Sequence, residues 1–151
     1  MSQVRTNARK AAVQALYQWQ MTGQTITSIE IQFHEEERLK DCQKSYFAEL
    51  FHGVPEHLDA IDHALNCFTD RPVDSIDPVE RAILRLSVYE LLHRLDMPYR
   101  VVINEGINLA KYFGADGSHK YVNGILDKVA QQSRATEITM KAAAKNGTVR
   151  I

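Results

Sequence analysis

Apolar residues recur at spacings of three and four along almost the whole chain, and this one regularity excludes most folds. The alternation of apolar and polar positions that a half-buried strand requires is not found, and no internal repeat is visible. In the first segment Ala8, Ala12, Ala15, Leu16 and Trp19 share one helix face, and Arg9, Lys10, Gln14 and Gln18 read as its polar side. Gly23 then stops the pattern. Thr27-Ser28-Ile29-Glu30 reads as a capping box that opens a short helix through Phe33. A longer pattern starts at Ser45 and carries Phe47, Leu50, Phe51 and Val54, then Leu58, Ile61, Leu65 and Phe68. Pro55 interrupts it by removing a backbone donor. The apolar rows stay nearly in phase across Pro55, so one kinked helix is preferred to a break.

Asp77-Pro78-Val79-Glu80 is the clearest helix start. Aspartate caps, proline suits the first helical position, and Glu80 lies where it can reach back to the cap amide. Val79, Ile83, Leu86, Tyr89 and Leu92 continue the stripe until Met97-Pro98 breaks it. Ile103, Ile107 and Ala110 carry the next helix to Phe113, with Gly114 as its C-terminal cap. Ser118 can cap a last helix whose apolar face is Tyr121, Val122, Ile125, Leu126 and Val129. After Ser133 the stripe fades. The expectation is one compact all-α domain over residues 1–133 and a flexible C-terminal tail over residues 134–151.

Function classes fall away in turn. No apolar run approaches the roughly 18 residues needed to span a membrane, and no signal-peptide core follows the charged N-terminus, so a cytoplasmic protein is expected. Cys42 and Cys67 lie far apart and read as buried or half-buried thiols, not as a disulfide or metal site. The six histidines show no metal-site spacing. The stretch Gly114 to Lys120 has neither the spacing nor the preceding strand of a phosphate-binding loop. No nucleophile motif occurs, so neither a catalytic residue, a metal nor a cofactor is assigned, and the chain reads as a binding protein.

The net charge of −1 argues against an indiscriminate polyanion binder, so any nucleic-acid surface must be local. Arg5, Arg9 and Lys10 precede the first acid, Glu30. They lie at a helix start, where the dipole disfavours each cation by about 0.3–1 kcal/mol, so either the terminus is merely solvated or a phosphate approaches there. The second candidate is the loop where Lys111, Tyr112 and Phe113 close one helix and Lys120, Tyr121 and Asn123 open the next. Cations hold phosphates, rings stack on unpaired bases and an amide reads base edges. Phe113 and Tyr121 also occupy core-like phases, so one ring can be packed while another is exposed. Gly124 lies inside a helix, at a cost of about 1 kcal/mol relative to alanine. Close approach by another backbone explains it, and a neighbouring helix is preferred to RNA.

At these residues the sequence resembles a known family. Ala12-Val13-Gln14-Ala15-Leu16-Tyr17-Gln18-Trp19-Gln20, Val79-Glu80-Arg81-Ala82-Ile83-Leu84-Arg85 and Pro98-Tyr99-Arg100-Val101-Val102-Ile103-Asn104-Glu105 are similar to segments of NusB proteins, in the same order. The most specific block is Ser118-His119-Lys120-Tyr121-Val122-Asn123-Gly124-Ile125-Leu126-Asp127-Lys128. The resemblance implies a bundle of about seven helices in two helical subdomains. It also implies pairing with the ribosomal small-subunit protein NusE, binding to boxA RNA, and service in the RNA polymerase antitermination complex, notably at ribosomal RNA operons. By the same resemblance Arg5, Arg9, Lys10, Lys111, Phe113, Lys120, Tyr121 and Asn123 face RNA, and Glu80, Arg81 and Arg85 face NusE. NusB-like domains also occur fused to RNA methyltransferases, but this chain ends before a cofactor-binding unit would follow.

Overall fold

The computed structural model describes residues 2–145. The order is α1 (Gln3–Thr22), α2 (Ile26–Glu35), α3 (Lys44–Glu56), α4 (Leu58–Asn66), a 3₁₀ turn (Val73–Ser75), α5 (Pro78–His93), α6 (Tyr99–Phe113), α7 (Ser118–Ser133) and α8 (Ala135–Lys145). The described residues form no strand. Two helical groups result. α1 packs on α2 and α3, α6 packs on α7, and α5 lies between the groups in contact with α1, α3, α4, α6 and α7.

The central position of α5 goes beyond its apolar stripe. Residues Ala82 through Leu91 are buried without interruption, so the helix is enclosed on every side. Three of them, Arg85, Ser87 and Glu90, are polar. A buried charge must be paired, and three neighbouring helices supply the partners. Arg85 makes a two-pronged ion pair with Asp62 of α4 (3.0 and 2.8 Å) and also reaches Gln20. Glu90 receives Arg9 of α1 and the Tyr46 hydroxyl of α3. The approach of α1 is eased by its short side chains, with Ala8, Ala11, Ala12 and Ala15 all buried.

Several local expectations change. The cap of α2 is Thr25, whose hydroxyl accepts from the Ser28 amide, so Thr27 lies inside the helix. The Pro55 segment is two helices: α3 ends at Glu56, and His57, at φ −112° and ψ 25°, separates it from α4. Proline removes its own donor, and the helical torsions fail two residues later. Asp77 caps α5 as expected, accepting from the Val79 and Glu80 amides. Glu80 does not reach back; its carboxylate accepts from the Ser118 hydroxyl at 2.7 Å. Ser118 is thereby the first residue of α7, and Gly117 is the cap. Gly114 ends α6 in an extended conformation. A Cβ there would lie 2.6 Å from the Ser118 Oγ, so the turn closes only around glycine. Cys42 is half-buried, whereas Cys67 is exposed.

The chain beyond Ser133 continues as α8 to Lys145, and residues 146–151 of the expected tail lie outside the described residues. Arg134, only 4% exposed, begins this segment. Its guanidinium donates to the carbonyls of Glu90, Leu91 and Arg94 at the end of α5 and of Met97 in the loop beyond it; the Glu90 and Arg94 carbonyls also accept from the Arg94 and Met97 amides. Glu137 accepts from Arg134 and from the Tyr99 amide at the start of α6. Burial raises the Glu137 pKa, but the Tyr99 amide and the Arg134 guanidinium outweigh it and hold the group below its ordinary 4.5. A depressed carboxylate contributes stability above its unfolded pKa and loses it as pH falls through the folded one. Arg134→Met removes the charged donor shared by these four carbonyls and is expected to cost about 2–4 kcal/mol in urea denaturation. Wild-type stability should also decline below pH 4.5 more steeply than that of Glu137→Gln. An unchanged denaturation midpoint for Arg134→Met would show that α8 is not an anchored element.

Candidate RNA and partner surfaces

The residues expected to face RNA divide into a buried set and an exposed set. Arg9 belongs to the first: it is 0% exposed, and its guanidinium is used internally. Its Nε lies 3.0 Å from Glu90 Oε2, and its Nη1 donates to Glu105 Oε1 of α6 at 2.8 Å. Burial works against the charge, and the Glu90 carboxylate with Glu105 outweighs that, so the Arg9 pKa stands above its ordinary value. Burial and the same carboxylate push the Tyr46 hydroxyl well above the usual range for a phenol. No phosphate reaches Arg9 without breaking this network. The sequence reading placed Arg9 on the polar side of α1, but it sits three, four and seven residues before the buried Ala12, Val13 and Leu16. That is core phase.

Lys10, one residue on, is rotated by about 100° and leaves the core. Its ammonium sits 4.1 Å from the centroid of the Tyr112 ring at the end of α6. Tyr112 is 64% exposed and lies edge-on to Phe113, with centroids 4.8 Å apart. The two regions that the sequence separates by a hundred residues therefore meet here. Between α1, α6 and the loop after α2 opens a shallow, mostly polar cavity of about 280 Å³, whose lining includes Lys10, Gln14, Arg38, Lys40, Tyr112 and Phe113. Lys111 is exposed beside it. Arg5 is half-buried with its guanidinium 5.0 Å from the Tyr46 ring.

On α7, Lys120 and Asn123 are exposed. Tyr121 is half-buried against the core, and its hydroxyl is buried without a partner among the described residues. The exposed ring is thus Tyr112, which was not among the assigned site residues. Its signal was legible: it falls off the row Ile103, Ile107, Ala110 that Phe113 continues. Gly124 is exposed, and a Cβ there would meet nothing within 4 Å among the described residues, so the expected neighbouring helix is absent.

Of the residues expected to face a protein partner, Arg85 is interior, 5% exposed and committed to Asp62. Arg81 is half-buried and donates to the Asp74 carbonyl at 2.8 Å; burial, then the nearby Arg85, lowers its pKa. Glu80 is half-exposed and holds Ser118. Beside Glu80 runs a largely apolar groove of about 400 Å³, lined by Val13, Tyr17, Met21, Val79 and Phe113 among others. Tyr17 and Met21 are exposed apolar side chains on α1, Met21 by 53%.

Among the described residues, no cluster of three or more His, Cys, Asp or Glu side chains could hold a metal ion. No helix among them is long and apolar enough to cross a membrane.

The internal role of Arg9 separates it from its neighbours in a direct test. Arg9→Met strands the buried Glu90 and is expected to cost about 3–5 kcal/mol of stability, whereas Lys10→Ala should change stability by less than about 0.5 kcal/mol. Equal effects in urea denaturation would contradict this division.

Comparison with known proteins agrees with the architecture. The model of the NusB family matches residues 6–131. The transcription antitermination protein NusB of Nitrosococcus oceani is 52% identical over 142 residues, covering 94% of this chain and 95% of the relative. The protein of the same description from Pasteurella multocida is 52% identical over 126 residues, covering 83% and 88%. T. maritima NusB superposes with a TM-score of 0.73 at 32% identity, covering 87% of this chain and 93% of that one. A crystal structure of antitermination factors NusB and NusE in complex with dsRNA matches with a TM-score of 0.78 at 26% identity, covering 87% and 99%. With the family model spanning most of its length, this chain belongs to the NusB family.

Proposed function

We propose that this chain is a transcription antitermination factor that pairs with ribosomal protein NusE and binds boxA RNA in nascent transcripts, notably of ribosomal RNA operons. It acts in the cytoplasm as part of the RNA polymerase antitermination complex and catalyses no reaction. The observation that carries the RNA reading is the exposed Tyr112 ring beneath the Lys10 ammonium, beside a polar cavity. An exposed aromatic face offers an unpaired base a stacking platform, and Lys10, Lys111 and Arg5 supply charge for the adjoining phosphates. Lys120 and Asn123 add exposed polar groups on α7, Phe113 supports the Tyr112 ring edge-on, and Tyr121, with the Arg71 guanidinium 5.8 Å from its ring, packs α7 against the core. Arg9 serves it by fixing the rotation of α1. NusE is assigned to the groove with Tyr17 and Met21 as apolar anchors and Val79, the residue before Glu80, in its wall; Arg81 lines a separate depression with Trp19, Gln20 and Asp74. Arg85 acts there only by holding α5 in place.

Fluorescence anisotropy of labelled boxA RNA, with and without NusE and against a scrambled RNA at fixed salt, tests this reading. Preference for boxA, strengthened by NusE, is expected. Tyr112→Ala should weaken RNA binding by about 1–3 kcal/mol with stability unchanged. Met21→Glu should reduce NusE binding and leave RNA binding by the isolated chain intact. Absence of any boxA preference, alone and with NusE, would overturn the function proposed.

A further inference from the structure

Gly124 lies in the interior of α7 with a negative φ, exposed, and with open space where its Cβ would be. Neither a turn nor a neighbouring helix requires glycine here. Alanine would favour the helix and clash with nothing among the described residues. Among the described residues the glycine is a loss without compensation, which directs attention to a bound partner.

Its surroundings describe what that is. Positions four apart share a helix face, so Lys120, Gly124 and Lys128 form one strip, and all three are exposed. The strip is a lysine, a turn of bare backbone, and a second lysine, spanning about 12 Å of helix at 1.5 Å per residue. Asn123 and Asp127 stand exposed along one border. An amide and a carboxylate hydrogen-bond base edges, whereas a carboxylate repels phosphate. We propose that a single RNA strand crosses α7 at Gly124. Its sugar–phosphate backbone lies against the bare helix, Lys120 and Lys128 hold phosphates on either side, and its bases turn toward Asn123 and Asp127. Glycine is needed because a side chain would hold the strand off the helix. The paired lysines favour RNA over a protein partner. This assignment rests on the RNA-binding function proposed above and adds to it the line along which the strand runs.

The experiment compares wild type, Gly124→Ala, Gly124→Gln and the distant exposed control Thr139→Ala. Thermal melting is read beside anisotropy with labelled boxA RNA in the presence of NusE. Gly124→Ala should raise the melting temperature by about 2–4 °C. The same change should weaken RNA binding about tenfold, with Gly124→Gln weaker still. NusE binding should be unchanged. Lys120→Ala and Lys128→Ala should each reduce the slope of log affinity against log salt by about 0.7, one phosphate contact on a single strand. If wild type binds boxA RNA and Gly124→Ala binds equally well, the strand does not cross here, and this inference fails while the RNA-binding function stands. If Gly124→Ala loses NusE and keeps RNA, the strip is a protein contact and the inference is overturned. If wild type itself shows no RNA binding, the broader function fails, and this assignment with it.

Discussion

The buried contact between Glu90 and Arg9 is the constraint on which the arrangement of helices depends. A carboxylate on a helix enclosed on all sides cannot remain charged without a partner; here Arg9 reaches both oxygens, and the Tyr46 hydroxyl adds a further donor to one of them. Arg9 comes from α1 and Tyr46 from α3, and Arg9 also reaches Glu105 of α6. Four helices are therefore held in register by one cluster. Such clusters return little net stability after desolvation. Their effect is to make other packings worse, because any rotation of α1 about its axis strands a charge.

The same contact positions the surface. Glu105 is held by Arg9 and by the Thr6 hydroxyl at 2.9 Å, which fixes one face of α6 against α1. Tyr112 lies seven residues after Glu105, two turns along that face. Lys10 adjoins Arg9 and meets Tyr112. The interior ion pair and the exposed cation–ring contact are thus two parts of one seam between α1 and α6, buried at one end and open at the other. α7 is tied in a comparable way. Ser118 at its start bonds Glu80 near the start of α5, and Arg134 just past its end bonds carbonyls at the end of α5. Held at both ends, α7 presents Lys120, Asn123 and Gly124 from a rigid support.

What was legible in the sequence follows from which interactions leave a periodic trace. Apolar burial does, so the helices, the Asp77 start and the Gly23 stop could be read directly. Ionic burial does not announce itself, because a charged residue counts as polar whatever its phase. On pattern alone Arg9 and Arg85 therefore read as surface residues, although each falls in register with core positions. α8 was missed for the same reason. Its attachment is the Arg134 guanidinium, not an apolar stripe, and four backbone carbonyls are invisible in any sequence pattern. The pattern does not separate Thr25 from Thr27, because either threonine can cap, and only the Ser28 amide decides between them.

These internal commitments limit how the protein can hold a polyanion. Arg9, Arg85 and Arg134 are charged but spent inside, and Arg94 is engaged by Glu49 and Asp96. The net charge of −1 provides no long-range attraction for RNA, so steering at a distance is weak. On the reading proposed above, affinity comes from short-range contacts at cations outside these ion pairs, with stacking on Tyr112 beside them. Stacking on that ring would favour unpaired bases over duplex phosphate, since the ring rewards only what can stack on it. Placing a mostly apolar groove next to it on α1 then makes sense energetically: a protein docked at Tyr17 and Met21 can extend the RNA surface with charges that this chain has used to build its core.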